Sequence, residues 1–190
     1  MTNAVPHKYP MSDFKKIIVP EAEIEQIVSC TAKQISEDYA GKKLLVCGIL
    51  KGAFVFVSDL VRRISIPAEV AFIRASSYGG GSSSSGNVEI AELSNLTKYG
   101  GYDILVTDDI LDTGNTFCRL GEFLKTKGFA SVEFCALLDK PDRRESGIFV
   151  KYIGKKTENE FVVGYGLDYG EKYRDLPFVA ALNEKIYKNN

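Results

Sequence analysis

Short apolar runs alternate along the chain with segments in which apolar residues recur at helical spacing. The runs at 44–50, 104–106 and 132–138 have the composition of strands that are buried on both faces. Helical spacing follows the first two runs, and it also marks a segment that starts at Pro20 and stops at Gly41. This alternation predicts an α/β fold in which helices flank a mostly parallel central sheet. In such a sheet, ligands bind at the carboxyl ends of the strands.

The stretch at 104–116 carries the most informative polar residues. It reads I-L-V-T-D-D-I-L-D-T-G-N-T, which predicts a buried strand, a polar loop and the start of a helix. The hydroxyls, glycine and helix amides of 113–116 suit a phosphate monoester. Asp108 and Asp109 would repel that phosphate, and they suit sugar hydroxyls or a hard cation such as Mg²⁺ instead. Asp112 lies between them and the phosphate loop, in a position for a general base or a charge stabiliser.

An ordinary strand–helix loop with an acidic cap is the alternative interpretation of that stretch. It would account for an isolated D-T-G, but the whole pattern after a buried strand favours a phosphorylated sugar, with a metal.

A Gly/Ser-rich segment at 79–86 is the lowest-complexity stretch of the chain. Its composition fits a flexible linker. A linker between domains is disfavoured, because the roughly 80 residues before it are too few to form a complete domain. Within them, the strand predicted at 44–50 would have no sheet partners. We therefore interpret the segment as an active-site lid, with 88–90 predicted to return as a strand.

Composition excludes several classes of function. The chain has 190 residues, 45% hydrophobic and 26% charged, with a net charge of −1, which favours one globular domain and argues against a nucleic-acid or membrane surface. The chain shows no apolar run of membrane-spanning length and no signal peptide, so a cytoplasmic protein is expected. The single histidine, His7, makes a Ser-His-Asp or Cys-His mechanism untenable. Four cysteines without C-x-x-C spacing predict buried thiols rather than a zinc site.

The stretch at 104–116 resembles the phosphoribosyl-pyrophosphate signature of the type I phosphoribosyltransferases. Further segments narrow the resemblance to the hypoxanthine-guanine (6-oxopurine) branch: L-K-G at 50–52, L-L-x-K at 137–140 and F-V-V-G-Y-G-L-D-Y-G-E-K-Y-R-D at 161–175. The similarity extends from about Ile18 to Leu182. Two positions depart from the family pattern, Asp108, where Glu is common, and the variable position Asn115, and neither removes a required chemical group.

The resemblance implies the type I phosphoribosyltransferase fold, with a small hood subdomain formed by the terminal segments. Residues 1–190 would be a single domain with a core at about 20–160 and a mobile lid at about 77–88. The hood would combine the N-terminal segment with about 161–190. Members of this family usually form dimers or tetramers, so a homo-oligomer is expected.

The resemblance also implies which residues bind each part of the substrates. Ribose and its 5′-phosphate would be bound by Asp108, Asp109, Thr113, Gly114, Asn115 and Thr116. Pyrophosphate would be bound by Ser77, Tyr78 and Arg174 and by the backbone around Lys51 and Gly52. The purine would contact Lys140, Phe161, Val162 and Asp168. Mg²⁺ would be held by Asp108, Asp109 and Asp168.

The implied reaction is Mg²⁺-dependent transfer of a 5-phosphoribosyl group from phosphoribosyl pyrophosphate to N9 of hypoxanthine or guanine, giving IMP or GMP. Lys140 would reach O6 of the base, Phe161 would stack on its ring, and Asp112 would accept the N7 proton. Arg143 and Arg144 are interpreted as parts of a surface turn. Two alternatives stay open: activity on xanthine, and a regulatory protein of the same fold that senses the donor and binds RNA or DNA, although the near-neutral charge disfavours the second.

Overall fold

The computed structural model of the protein describes residues 8–77 and 88–188. The predicted lid at 77–88 therefore lies outside the described residues, apart from its two ends, and so does Tyr78. No helix of the described ranges is long and apolar enough to cross a membrane.

A six-stranded sheet lies at the centre of the fold. Its strands are β2 (Leu44–Leu50), β3 (Ala68–Ser77), β4 (Val88–Glu92), β5 (Asp103–Leu111), β6 (Ser131–Asp139) and β7 (Tyr152–Lys156). Their spatial order is β4-β3-β2-β5-β6-β7, and every pair is parallel except β3 with β4. The carboxyl ends of β2, β5 and β6 consequently meet at one edge, and β5, the strand before the signature loop, lies between the other two.

Residues along the central strands alternate between two hydrophobic cores, one on each face of the sheet. On β5, Leu105 belongs to the core beneath α1 (Glu21–Asp38) and α2 (Phe54–Val61). Its neighbours Ile104 and Val106 belong to the core beneath α3 (Asn115–Leu124). Burial on both faces explains why these strands appear as continuous apolar runs in the sequence.

A separate three-stranded antiparallel sheet joins the two ends of the described chain. Its strands are β1 (Phe14–Val19), β8 (Val162–Val163) and β9 (Val179–Leu182), in the order β1-β9-β8. The short helix α4 (Glu184–Tyr187) follows β9. We call β1 together with residues 161–187 the hood. Together with the central sheet, it confirms the predicted fold class.

The cysteines agree with the prediction of buried thiols only in part. All four are free; Cys47 and Cys135 are buried, and Cys118 is half-buried. The prediction is wrong for Cys30, which is exposed on α1, because an amphipathic helix that covers a sheet turns one face to solvent.

Candidate active site

Asp108 and Asp109 form the floor of the candidate site at the carboxyl end of β5. Asp109 is buried, and its backbone N–H donates a hydrogen bond of 3.0 Å to Oδ1 of Asp108. Burial raises the pKa of Asp108 well above its usual range, and the adjacent charge of Asp109 raises it further. Burial also raises the pKa of Asp109, to about 6. Two carboxylates that repel each other in a desolvated position suit a cation, which would favour their ionised forms.

The loop after β2 packs directly against Asp109. The peptide between Leu50 and Lys51 is cis. At Gly52, a Cβ atom would lie 1.8 Å from Oδ2 of Asp109, so no other residue fits here without moving that carboxylate. Gly166 of the hood is similarly restricted, because its Cβ would lie 2.1 Å from the carbonyl oxygen of Gly52 and its φ is +102°. The Lys51-Gly52 loop is thus held between the acidic floor and the hood.

Residues 113–116 form a cradle between β5 and the first turn of α3. Gly114 has a φ of +85°, which lets the chain turn directly into the helix. A cavity of about 190 Å³ opens here, and its lining includes Asp108, Asp112, Thr113 and Thr116. The cavity therefore lies where helix amides, hydroxyls and the acids of β5 can all contact one ligand.

The segment at 143–146 folds back over this cradle, a contact that no pattern in the sequence predicted. The backbone N–H groups of Glu145 and Ser146 donate to the carbonyl oxygen of Thr113, at 3.0 and 3.2 Å. The Asn115 side chain donates to the Glu145 carboxylate at 3.1 Å. These contacts fix the loop that precedes α3.

The interpretation of Arg143 and Arg144 as surface residues is wrong for Arg144. One of its terminal nitrogens donates to the carbonyl oxygen of Asp112 at 2.7 Å, and the other forms an ion pair with Asp139. Arg143 is exposed, but its Nε donates to Oδ1 of Asp112 at 3.2 Å. Both arginines contact Asp112, the candidate general base, because the segment that follows β6 packs against the loop that follows β5. The feature of the sequence that could have indicated these contacts is the pair of arginines soon after a buried strand.

Lys140 lies at the end of β6, beside the end of β5. Its backbone N–H donates to the carbonyl oxygen of Leu111 at 2.9 Å, and the residue is buried. Burial lowers the pKa of its ammonium group. A buried lysine at a strand end is suited to bind a polar ligand atom, since lysines without such a role usually extend into solvent.

An aromatic surface stands on the hood. The ring of Phe161 is 40% exposed. It stacks on Tyr187 of α4, with ring centroids 5.0 Å apart and planes at 25°, and Tyr169 meets it edge-on at 5.7 Å. Val162 is buried in β8 opposite Ala181, so its side chain belongs to the core and its backbone forms the hood edge. The contribution of Tyr187 was not predicted, because it follows Phe161 by a long stretch of sequence.

Arg174 and Asp168 occupy the hood loop that faces Gly52. Arg174 donates to the carbonyl oxygen of Gly166 at 2.7 Å and pairs with Oδ1 of Asp168 at 2.9 Å. Its Nε is buried without a hydrogen-bond partner in the described part of the chain. Within residues 8–77 and 88–188, no three acidic, histidine or cysteine side chains cluster around one point, so Asp168 is not grouped with Asp108 and Asp109.

The fold and the site together define a phosphoribosyltransferase. The family described as "Phosphoribosyl transferase domain" matches residues 16–170, which covers the central sheet, the acidic floor and the phosphate cradle. The chain belongs to this family, in its hypoxanthine-guanine branch.

Individual relatives agree in sequence and in structure. The chain is 42% identical over 179 residues to the hypoxanthine-guanine phosphoribosyltransferase of Staphylococcus aureus, which covers 94% of this chain and 99% of the relative. A crystal structure of a hypoxanthine phosphoribosyltransferase from Staphylococcus aureus covers 98% of this chain and 99% of its own, with 41% identity and a TM-score of 0.87. A crystal structure of a hypoxanthine-guanine phosphoribosyltransferase from Bacillus anthracis covers 90% of this chain and 98% of its own, with 35% identity and a TM-score of 0.82.

Proposed function

We propose that the protein transfers the 5-phosphoribosyl group of phosphoribosyl pyrophosphate to N9 of hypoxanthine or guanine, giving IMP or GMP and pyrophosphate. The reaction is a purine-salvage step. One observation carries this proposal: neighbouring strands β5 and β6 bring a phosphate cradle, an acidic floor and a buried lysine to one edge of the sheet, and the hood adds an exposed aromatic surface. The names of the relatives point to the same substrates.

The cradle and the floor hold the donor. Amides and hydroxyls of Thr113, Gly114, Asn115 and Thr116 bind the 5′-phosphate, and this binding energy positions C1′ of the ribose. The transition state at C1′ is positively charged, as in glycosyl transfer generally. Asp112 accepts the N7 proton of the base, and its negative charge favours that cationic state.

The residues present fit a divalent cation. Asp108 and Asp109 offer adjacent carboxylate oxygens, the ligands that Mg²⁺ prefers. Burial disfavours the ionisation of both in the absence of a cation, and the charge of Asp109 disfavours that of Asp108 further. When bound, Mg²⁺ supplies charge neutralisation for the diphosphate. Asp168 is a further candidate ligand; it would have to exchange its ion pair with Arg174 for the metal.

Base selection depends on Lys140, which directly follows β6, and on two residues of the hood. Lys140 donates a hydrogen bond to O6, which favours oxopurines over adenine. Phe161 stacks on the purine ring. The backbone of Val162 contacts the edge of the base. Lys51, Gly52 and Arg174 bind the leaving pyrophosphate, together with Ser77 and Tyr78 of the lid.

The test is turnover by the purified protein with phosphoribosyl pyrophosphate and Mg²⁺, with four bases offered in turn. Nucleotide is expected from hypoxanthine and guanine and not from adenine. Xanthine turnover would measure how widely the base pocket accepts 6-oxopurines. Donor binding without nucleotide from any base would overturn the proposal and indicate a donor sensor.

We also propose that residues 1–190 act as one phosphoribosyltransferase domain in the cytoplasm, assembled as a homo-oligomer. Four free thiols support a reducing compartment. Exposed Phe54 and Phe149 support self-association. Light scattering coupled to size-exclusion chromatography measures the subunit number, and a monomer at micromolar concentration would contradict the assembly.

A further inference from the structure

A hood carboxylate bridges the cationic side chains of Lys51 and Arg174, two residues that the proposed function assigns to pyrophosphate. Oε1 of Glu171 lies 3.0 Å from Nζ of Lys51, and its Oε2 lies 3.4 Å from a terminal nitrogen of Arg174. The pKa of Glu171 is lowered, first by the hydrogen bond from Lys51 and also by the charge of Arg174. An ionised carboxylate therefore occupies the position between these two cations.

The two cations depend on Glu171 to different degrees. Arg174 has two other contacts, to the carbonyl oxygen of Gly166 and to Asp168, which keep it in place. Lys51 forms no second ion pair within residues 8–77 and 88–188. Loss of the Glu171 carboxylate would consequently leave Arg174 in position and release Lys51.

The Glu171 side chain can leave without rearranging its loop. Its backbone N–H donates to Oδ2 of Asp168 at 2.9 Å, so the loop is fixed by the backbone rather than by the carboxylate. The side chain is 63% exposed and has room to turn into solvent. Replacement by glutamine keeps the shape and the backbone conformation and removes only the charge.

We propose that Glu171 is an internal counter-anion that sets the affinity of the site for diphosphate. The inference rests on the proposed roles of Lys51 and Arg174. A diphosphate group that binds between the Lys51 ammonium and the Arg174 guanidinium takes the place of the carboxylate, so the free energy of the two ion pairs is subtracted from the free energy of binding. Glu171 thus weakens donor binding, and it also favours release of the product pyrophosphate.

The test compares E171Q with the wild-type enzyme. Removal of one exposed ion-paired charge should lower the Kd of Mg²⁺-pyrophosphate, measured by calorimetry, by about two- to fivefold. The decrease in Kd should be smaller at high salt, which screens these charges. The KM of phosphoribosyl pyrophosphate should fall by a similar factor, and the KM of hypoxanthine should not change. The matched control is E158Q, which removes an exposed carboxylate paired with Lys16 at 2.7 Å. It should leave both the Kd of Mg²⁺-pyrophosphate and the KM of phosphoribosyl pyrophosphate unchanged.

A second pair of variants separates this inference from the proposed function. K51Q should weaken pyrophosphate binding, and E171Q should gain much less in a K51Q background, because the released cation is then missing. If K51Q leaves pyrophosphate affinity unchanged, the proposed role of Lys51 is wrong, and this inference is wrong with it. If K51Q weakens binding but E171Q fails to tighten it, the counter-anion role alone is overturned.

Discussion

Substitution of Gly52 by alanine tests the contact between the loop after β2 and the acidic floor. The added Cβ would lie 1.8 Å from Oδ2 and 2.7 Å from Cγ of Asp109. To reach the 3.0 Å that real Cβ contacts require, the oxygen would have to retreat by about 1.2 Å, the difference between 3.0 and 1.8 Å. Asp109 is buried, so the carboxylate has little space into which it can move.

A displacement of this size has a predictable cost. Misplacement of a positioning group by about 1 Å can reduce a rate by about 100-fold, which corresponds to about 2.7 kcal/mol of transition-state stabilisation. Overpacking of this kind destabilises by about 1–3 kcal/mol, which lowers the Tm of a chain of this size by about 2–12 °C. We therefore expect kcat/KM to fall by about two orders of magnitude in a protein that stays folded at the assay temperature.

The assay follows the absorbance change as hypoxanthine becomes IMP, and thermal melting is monitored by circular dichroism. Gly147→Ala is the matched control, because its Cβ would meet nothing within 4 Å, and it should behave as the wild type. If Gly52→Ala kept the wild-type kcat/KM, the reaction would not depend on the position in which this contact holds the Asp109 carboxylate. The proposed role of this contact would then be refuted.

Three further substitutions test the base side of the site. Asp112→Asn should lower kcat by about 10²- to 10⁴-fold, the usual contribution of a general base, and should change the Kd of the donor far less; unchanged turnover would remove the role of Asp112 as base. Because burial lowers the pKa of Lys140, its protonated form is lost at a lower pH than for an exposed lysine, so kcat/KM for hypoxanthine should fall early on the alkaline side. Lys140→Arg stays protonated and should lose this alkaline decline, whereas a decline that persisted would assign it to another group. Tyr187→Leu should raise the KM of hypoxanthine about two- to tenfold by removing the ring that supports Phe161, with an unchanged donor KM, and an equal effect on both substrates would indicate general loss of structure.

The sequence predicted the parts of the fold that are determined locally. Strands β2, β5 and β6 are recognisable because burial on both faces gives each of them a continuous run of apolar residues. Strand β1 (F-K-K-I-I-V) has no such pattern, because its outer face is exposed and its partner β9 lies at the other end of the chain. Its β structure depends on that distant pairing rather than on local propensity.

In the candidate site too, the parts that are local in sequence could be predicted and the parts that join distant segments could not. The phosphate cradle could be predicted because its hydroxyls, glycine and helix start are consecutive in sequence. The contacts of Arg144 with Asp112 and Asp139, and the support of Phe161 by Tyr187, could not, because each joins segments that meet only in the folded chain. The bridge from Glu171 to Lys51 and Arg174 is similarly a product of tertiary folding, since Lys51 comes from the loop after β2.

During protein synthesis, the position of β9 in the hood determines which of the two substrate sites can form first. The central sheet ends with β7 at Lys156, and the phosphate cradle is already complete by then. Strand β8 has no hood neighbour until β9 has been translated, because β9 lies between β1 and β8. A growing chain on the ribosome could therefore build the cradle early, whereas the surface for the base would form only once residues up to Leu182, and Tyr187 after it, had left the exit tunnel.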